Sequence, residues 1–173
     1  QTDHSGYFRL GATPKVLQTV GIPDAKIYFD ESKAAAALRD HKEITLDTLK
    51  GIPKVLNNPV VIAESYDNTA LLFGDLHDIQ GRPVVVALRI KSTARGNSVE
   101  IVNKIRSVGT RTHNLSRLLA EENIVYISED KGRAETWFQA IGRSTPFGGT
   151  KFGSIRMLSF ADRTVKAKFS ASA

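Results

Sequence analysis

The chain has 173 residues, 41% of them hydrophobic and 24% charged, proportions that fit one soluble globular domain with room for a sizeable core. It has no uninterrupted apolar stretch of the roughly 18 residues a membrane helix needs. The absence of cysteine excludes a disulfide scaffold, a thiolate zinc finger, an iron–sulfur site and a cysteine nucleophile.

The formal charge of +6 is unevenly placed. Residues 1–80 carry 8 Lys+Arg against 11 Asp+Glu, and residues 81–173 carry 16 against 7. A basic C-terminal half points to a polyanionic partner, with a merely solvated basic surface as the bland alternative. The N-terminus has no basic region followed by an apolar run, so no secretory signal is read. Without an initiator Met, the chain reads as a piece of something longer.

In chain order, Tyr7–Leu10 is a short apolar segment. Thr13–Pro14 is a helix start, with Thr as cap and Pro at the first helical position, and Gly21 is the stop. Residues 25–29 alternate and predict a strand. Asp30 or Ser32 is placed to cap an Ala-rich helix over 33–40. A second helical pattern starts at Thr45, and Pro53 is expected to divide it into two short pieces. The period then becomes strand-like over 59–65, 70–77 and 83–91. Turn signals at Asp67–Asn68 and Gln80–Gly81 predict an antiparallel meander. A fourth strand is expected over 98–105, then a helix over 114–122, a strand over 124–127 and a helix over 130–141 with Trp137, Phe138 and Ile141 inward. Residues 143–154 read as a Gly-rich loop and 155–169 as a terminal hairpin. The expected fold class is α+β, with N-terminal helices packed on an antiparallel sheet of about four strands. Residues 1–142 would form the body, and the basic tail 143–173 would belong to the same domain.

Several chemistries fail on spacing. Asp75, His77 and Asp78 could seed a metal site, but no further ligand pattern completes it, so a polar turn is the better reading and no metal or cofactor is expected. The Gly148–Ser154 run lacks P-loop spacing, and there is no GxGxxG or GxSxG. What remains is a set of His, Ser, Thr, Tyr, Arg and Lys residues: His41, Ser65, Tyr66, Arg89, Lys91, Ser107, Thr110 and Arg111. Such residues suffice for metal-independent RNA cleavage, in which a base near neutral pKa takes the 2′-hydroxyl proton and fixed cations stabilise the charged phosphorus. Each residue singly has a bland reading, such as a helix-end His favoured by the helix dipole.

The run Leu10–Pro14, His41 and Leu49–Val60 (LKGIPKVLNNPV), followed by Ser65, Val84–Ile90, Ile101–Ser107 and the Tyr126 strand with its Trp137 helix, resembles the C-terminal toxin-like domain of phage MuF-type minor head proteins. Related domains occur in bacterial polymorphic and contact-dependent toxins and are grouped with barnase/EndoU/colicin/RelE-like nucleases. The resemblance covers roughly residues 8–142. It implies RNA cleavage leaving a 2′,3′-cyclic phosphate, and it makes His41, Ser65, Ser107 and Tyr126 the matching polar positions. The family often has an aromatic soon after the serine matching Ser107. Here Thr110 or Arg111 would take that place.

The combined expectation is an endoribonuclease toxin domain acting on RNA, with transfer RNA as one candidate. His41, Ser107, Tyr126 and Arg111 would be catalytic, and Ser65, Arg89, Lys91 and Thr110 would bind substrate. It would be a monomer, partnered by an acidic immunity protein or antitoxin. As the C-terminal piece of a larger secreted or injected protein, it would act in the target cell's cytoplasm. The alternatives are a non-catalytic nucleic-acid or protein-binding module of a phage head or toxin-delivery protein, and an ADP-ribosyltransferase. The last is disfavoured because no ExE pair is present.

Overall fold

A computed structural model of the chain describes residues 6–93, 96–101, 106–107 and 117–144. Its strands are β1 (Tyr7–Ala12), β2 (Lys26–Asp30), β3 (Val61–Ser65), β4 (Thr69–Phe73), β5 (Val84–Thr93), β6 (Gly96–Ile101), β7 (Arg106–Ser107) and β8 (Ile124–Ile127). They form one mixed sheet in the order β1-β2-β6-β5-β4-β3-β8, with β7 pairing β5 off this path. The helices are α1 (Lys15–Gln18), α2 (Glu31–Asp40), α3 (Leu46–Lys50), α4 (Ile52–Asn57) and α5 (Lys131–Ser144).

The α+β class holds, but the sheet is about twice as wide as the four strands expected. β3, β4 and β5 form the expected antiparallel meander. β6 extends it antiparallel to β5 and β8 antiparallel to β3, and two further pairings widen the sheet beyond β6. Tyr7–Ala12 is a strand, antiparallel to β2, and β2 lies parallel to β6 with Ile27 beside Val99 and Phe29 beside Ile101. The β2–β6 pairing spans some 70 residues of chain, so local periodicity carries no sign of it.

Local chemistry explains the helix boundaries. The Asp30 carboxylate accepts from the Ser32 backbone N–H at 2.8 Å and caps α2. Thr45 and Thr48 form a reciprocal capping box at the start of α3. Pro53 falls in the first turn of α4 and separates it from α3. The expected Thr13 cap does not form. Its hydroxyl donates instead to the Ala25 carbonyl at 2.6 Å, tying the end of β1 to the start of β2, and Pro14 takes the cap position of α1.

The sheet buries both faces. Ile27, Phe29, Ile62, Leu72, Val84, Val86, Leu88, Ile90, Val99 and Ile101 pack with Leu17, Ala34, Ile52, Val55 and Leu56 of α1, α2 and α4. On the other face Val61, Ala63, Leu71, Phe73, Val85 and Ala87 pack under Ala134, Trp137, Phe138 and Ile141 of α5. Fully burying each large side chain contributes about 1.5–3 kcal/mol. Trp137 meets Phe73 and Phe138 edge-on, and its indole N–H donates to the Gly74 carbonyl at 3.2 Å. Arg133 fastens the start of α5 to the sheet end where β3 begins and β4 finishes, donating to Asp75 at 2.9 Å and to both the carbonyl and side-chain oxygens of Asn58. α5 continues to Ser144, two residues into the expected Gly-rich loop. The remainder of that loop and the expected terminal hairpin lie outside the described residues, as do residues 114–116 of the expected 114–122 helix. Of that helix's described part, 117–118 are helical and Glu121–Asn123 is a 3-10 turn.

Candidate nucleic-acid interface

Along β5 the side chains alternate between the two faces. Val84, Val86, Leu88 and Ile90 enter the core under the N-terminal helices, while Val85 and Ala87 enter the core under α5. Beyond Ala87 this second face turns polar at Arg89 and Lys91. The pairing registers extend the change across the sheet: Ser65 lies opposite Thr69, Thr69 opposite Arg89, Arg89 opposite Glu100, Glu100 beside Tyr28, and Tyr28 opposite Arg9. Directly opposed residues share a face. Six strands therefore present Ser65, Thr69, Arg89, Glu100, Tyr28 and Arg9 as one row on a single face.

Glu100 is the electrostatic centre of the row. Its carboxylate lies 3.0 Å from Lys91 Nζ and 3.9 Å from Lys33 Nζ, and Arg89 is its cross-strand neighbour. The Arg89 guanidinium lies 4.0 Å from Asp67, which is well exposed, so that pair is worth little. Arg89 Nε is buried with no hydrogen-bond partner among the described residues. The hairpin that delivers Asp67 turns through Asp67 and Asn68, both in the left-handed region at φ 60° and 52°, where Asp and Asn are tolerated best among non-glycine residues. The Ile90 N–H donates to the Asn68 carbonyl at 3.2 Å and holds this turn against β5.

Three of the expected site residues, Ser65, Arg89 and Lys91, thus come together. Three others are placed elsewhere. His41 ends α2, half-exposed, with Nδ1 3.5 Å from the Glu43 carboxylate. The Glu43 carbonyl accepts from Ile79, in the turn before Pro83, which leads into β5 at the end remote from Arg89. The Ser107 backbone pairs with Val84, five residues and about 17 Å along β5 from Arg89. Tyr126 pairs with Ile62 and packs with the core under the N-terminal helices, so it lies on the face opposite the row. Burial raises the Tyr126 phenol above its ordinary value, the Glu129 carboxylate adds to this, and Arg133 opposes it. Thr110 and Arg111 lie outside the described residues.

Glu100, Thr69, Tyr28 and Arg9 complete the row and were not among the residues read from sequence. A local signal exists for two of them. Glu100 stands between Val99 and Ile101, and Tyr28 between Ile27 and Phe29; all four neighbours are buried in one core. The sequence around Asp75–Asp78 resolves as structure. The Asp78 carboxylate accepts from the backbone N–H groups of Gln80 and Arg82 and from Arg82 Nε, closing a turn that uses Gly81 at φ +79°, while Asp75 binds Arg133. Among the described residues no group of three or more His, Asp or Glu side chains could hold a metal ion, and no helix is long and apolar enough to cross a membrane.

A mixed sheet with helices on both faces and one polar, cation-bearing row beyond its packed core defines an α+β domain. Residues 33–134 match the phage MuF-C-terminal domain, more than half of the 173-residue chain, and the chain belongs to that family. The matched stretch runs from the first turn of α2 into α5, and so contains Arg89, Lys91 and Glu100 but not β1 or β2. No curated protein and no solved structure matches the chain.

Proposed function

We propose that this chain is an RNA-cleaving, toxin-like domain that acts without a metal ion, and that the cross-strand row is its phosphate-binding and reacting face. The observation that carries the reading is the Glu100 carboxylate set among Lys91, Lys33 and Arg89 in the polar row of the sheet. A partly exposed carboxylate among cations matches the two demands of the reaction, a proton acceptor and fixed positive charge beside it. Glu100 takes the proton of a ribose 2′-hydroxyl as the 2′-oxygen bonds to phosphorus. The bond to the 5′-oxygen breaks, that oxygen leaves with a proton from water, and a 2′,3′-cyclic phosphate remains. Arg89 and Lys91 hold the charge that builds on the phosphoryl oxygens, and the Ser65 hydroxyl, on the same face, orients them.

On this reading His41, Ser107 and Tyr126 act away from the reacting bond. The natural partner is an acidic immunity protein that covers the row, and the domain works in the cytoplasm of the cell that receives it. Incubating the purified chain with total RNA in EDTA is expected to give discrete fragments ending in 2′,3′-cyclic phosphate. Intact RNA after prolonged incubation overturns the proposal. A second reading, a module that binds nucleic acid without cutting it, draws on the distance of His41 and Tyr126 from the basic face. It predicts salt-sensitive RNA binding with no product.

A further inference from the structure

Next to its outer end at Arg9, the row carries an aromatic side chain. Tyr28 stands between Glu100 on β6 and Arg9 on β1, partly exposed, with its chain neighbours Ile27 and Phe29 buried on the other face. Tyr7, on the edge strand, meets the Tyr28 ring edge-on, at 5.9 Å between centroids and 68° between planes. The two rings pack against each other, and the Tyr28 ring stays partly exposed. Tyr28 lies two strands from Arg89, about 10 Å across the sheet. That separation suits a nucleotide whose phosphate rests on Arg89 and Lys91 while its base reaches outward to the ring.

We propose that Tyr28, buttressed by Tyr7, is a base-stacking platform and that the row accepts single-stranded rather than duplex RNA. The inference rests on the row being the RNA-binding face and adds the substrate class. Within a duplex the base faces are already stacked, and an A-form surface offers this sheet phosphates, ribose hydroxyls and base edges but no free base face. A single strand can lay a base flat on Tyr28 while Arg9 takes the next phosphate along. Base–aromatic stacking contributes about 1–3 kcal/mol per base and is tolerant of sequence. Any base preference would then come from elsewhere on the face.

The test is equilibrium binding of the full chain to a 2′-O-methyl oligonucleotide, which cannot be cut by 2′-hydroxyl attack, as a single strand and as a duplex. The single strand is expected to bind at least about tenfold more tightly. Tyr28→Leu, which keeps an apolar contact for Tyr7, should weaken it by about 5- to 150-fold, the range that stacking corresponds to. Tyr28→Phe should stay within about twofold of the parent, and the salt dependence of binding should be the same in all three proteins because no charge changes. Thermal unfolding identifies any variant that has lost its fold, and the parent's preference for the single strand over the duplex then carries the test. Equal binding of duplex and single strand, equal affinity of the Leu and Phe variants, or no binding of the parent overturns the platform. Cleavage of unmodified RNA separates the two proposals. Cutting with an indifferent Tyr28 removes the platform alone, whereas stacking without cutting removes the chemistry alone.

Discussion

Arg89→Met separates a residue kept for binding from one kept for stability. Among the described residues Arg89 leaves a buried Nε–H without a partner, and its guanidinium reaches the exposed Asp67 at 4.0 Å. A buried unsatisfied donor costs about 1–3 kcal/mol, while an exposed ion pair returns about 0–1 kcal/mol. Met keeps the apolar stem and removes the guanidinium. Glu100, the cross-strand neighbour, keeps Lys91 at 3.0 Å and Lys33 at 3.9 Å, so no new unpaired charge is created. The substitution should therefore stabilise the fold by about 1 kcal/mol, or about 2–4 °C in Tm for a chain of this size. It should also weaken RNA binding and lower the slope of log K against log salt by about 0.7, the loss of one phosphate contact on a single strand. Differential scanning calorimetry and a salt titration of binding read the two effects. A Tm that falls by several degrees, or an unchanged salt slope, refutes the assignment of Arg89 to a phosphate.

Other expectations concern the frame that holds the row. Arg133→Ala leaves the Asn58 carbonyl and the Asp75 carboxylate without the guanidinium that joins α5 to the sheet, and should cost about 2–4 kcal/mol in urea unfolding. Asp30→Ala removes the α2 cap and should cost about 1 kcal/mol. The Ser32 hydroxyl and backbone N–H hold the Asp30 carboxyl below its ordinary value. A depressed acid contributes stability that is present above its unfolded pKa, near 4, and is lost as pH falls through the folded value, so the parent's advantage over the variant should vanish on acidification. Tyr126 works in the opposite sense. Its phenol is raised chiefly by burial, so its contribution is fully present below about pH 10 and is lost as pH rises through the folded value. Absorbance at the phenolate band, parent minus Tyr126→Phe, should show this residue ionising later than an exposed tyrosine.

Much of the frame was legible because its signals are local. The Asp30 cap, the Thr45 start and the Pro53 break each act within a turn of chain, and β3, β4 and β5 follow one another through short connections. β1 escaped because Arg9 and Gly11 interrupt a six-residue edge strand. Its partner β2 was seen, but not its parallel neighbour β6, because strand alternation reports a face and never a neighbour. The site was legible to the same extent. Ser65, Arg89 and Lys91 stand out as polar residues at the ends of apolar strands. Whether they meet His41 or Glu100 depends on registers across six strands, and those registers placed Glu100 beside them and His41 beyond the far end of β5.

The choice between these two candidate bases gives the most direct test. Single-turnover cleavage of a single-stranded RNA in EDTA should be measured for the parent, Glu100→Gln and His41→Ala, each checked for folding. If the row is the reacting face, Glu100→Gln loses at least about two orders of magnitude in rate while His41→Ala stays within a few-fold of the parent. The reverse pattern, or an undiminished rate in Glu100→Gln, would contradict it.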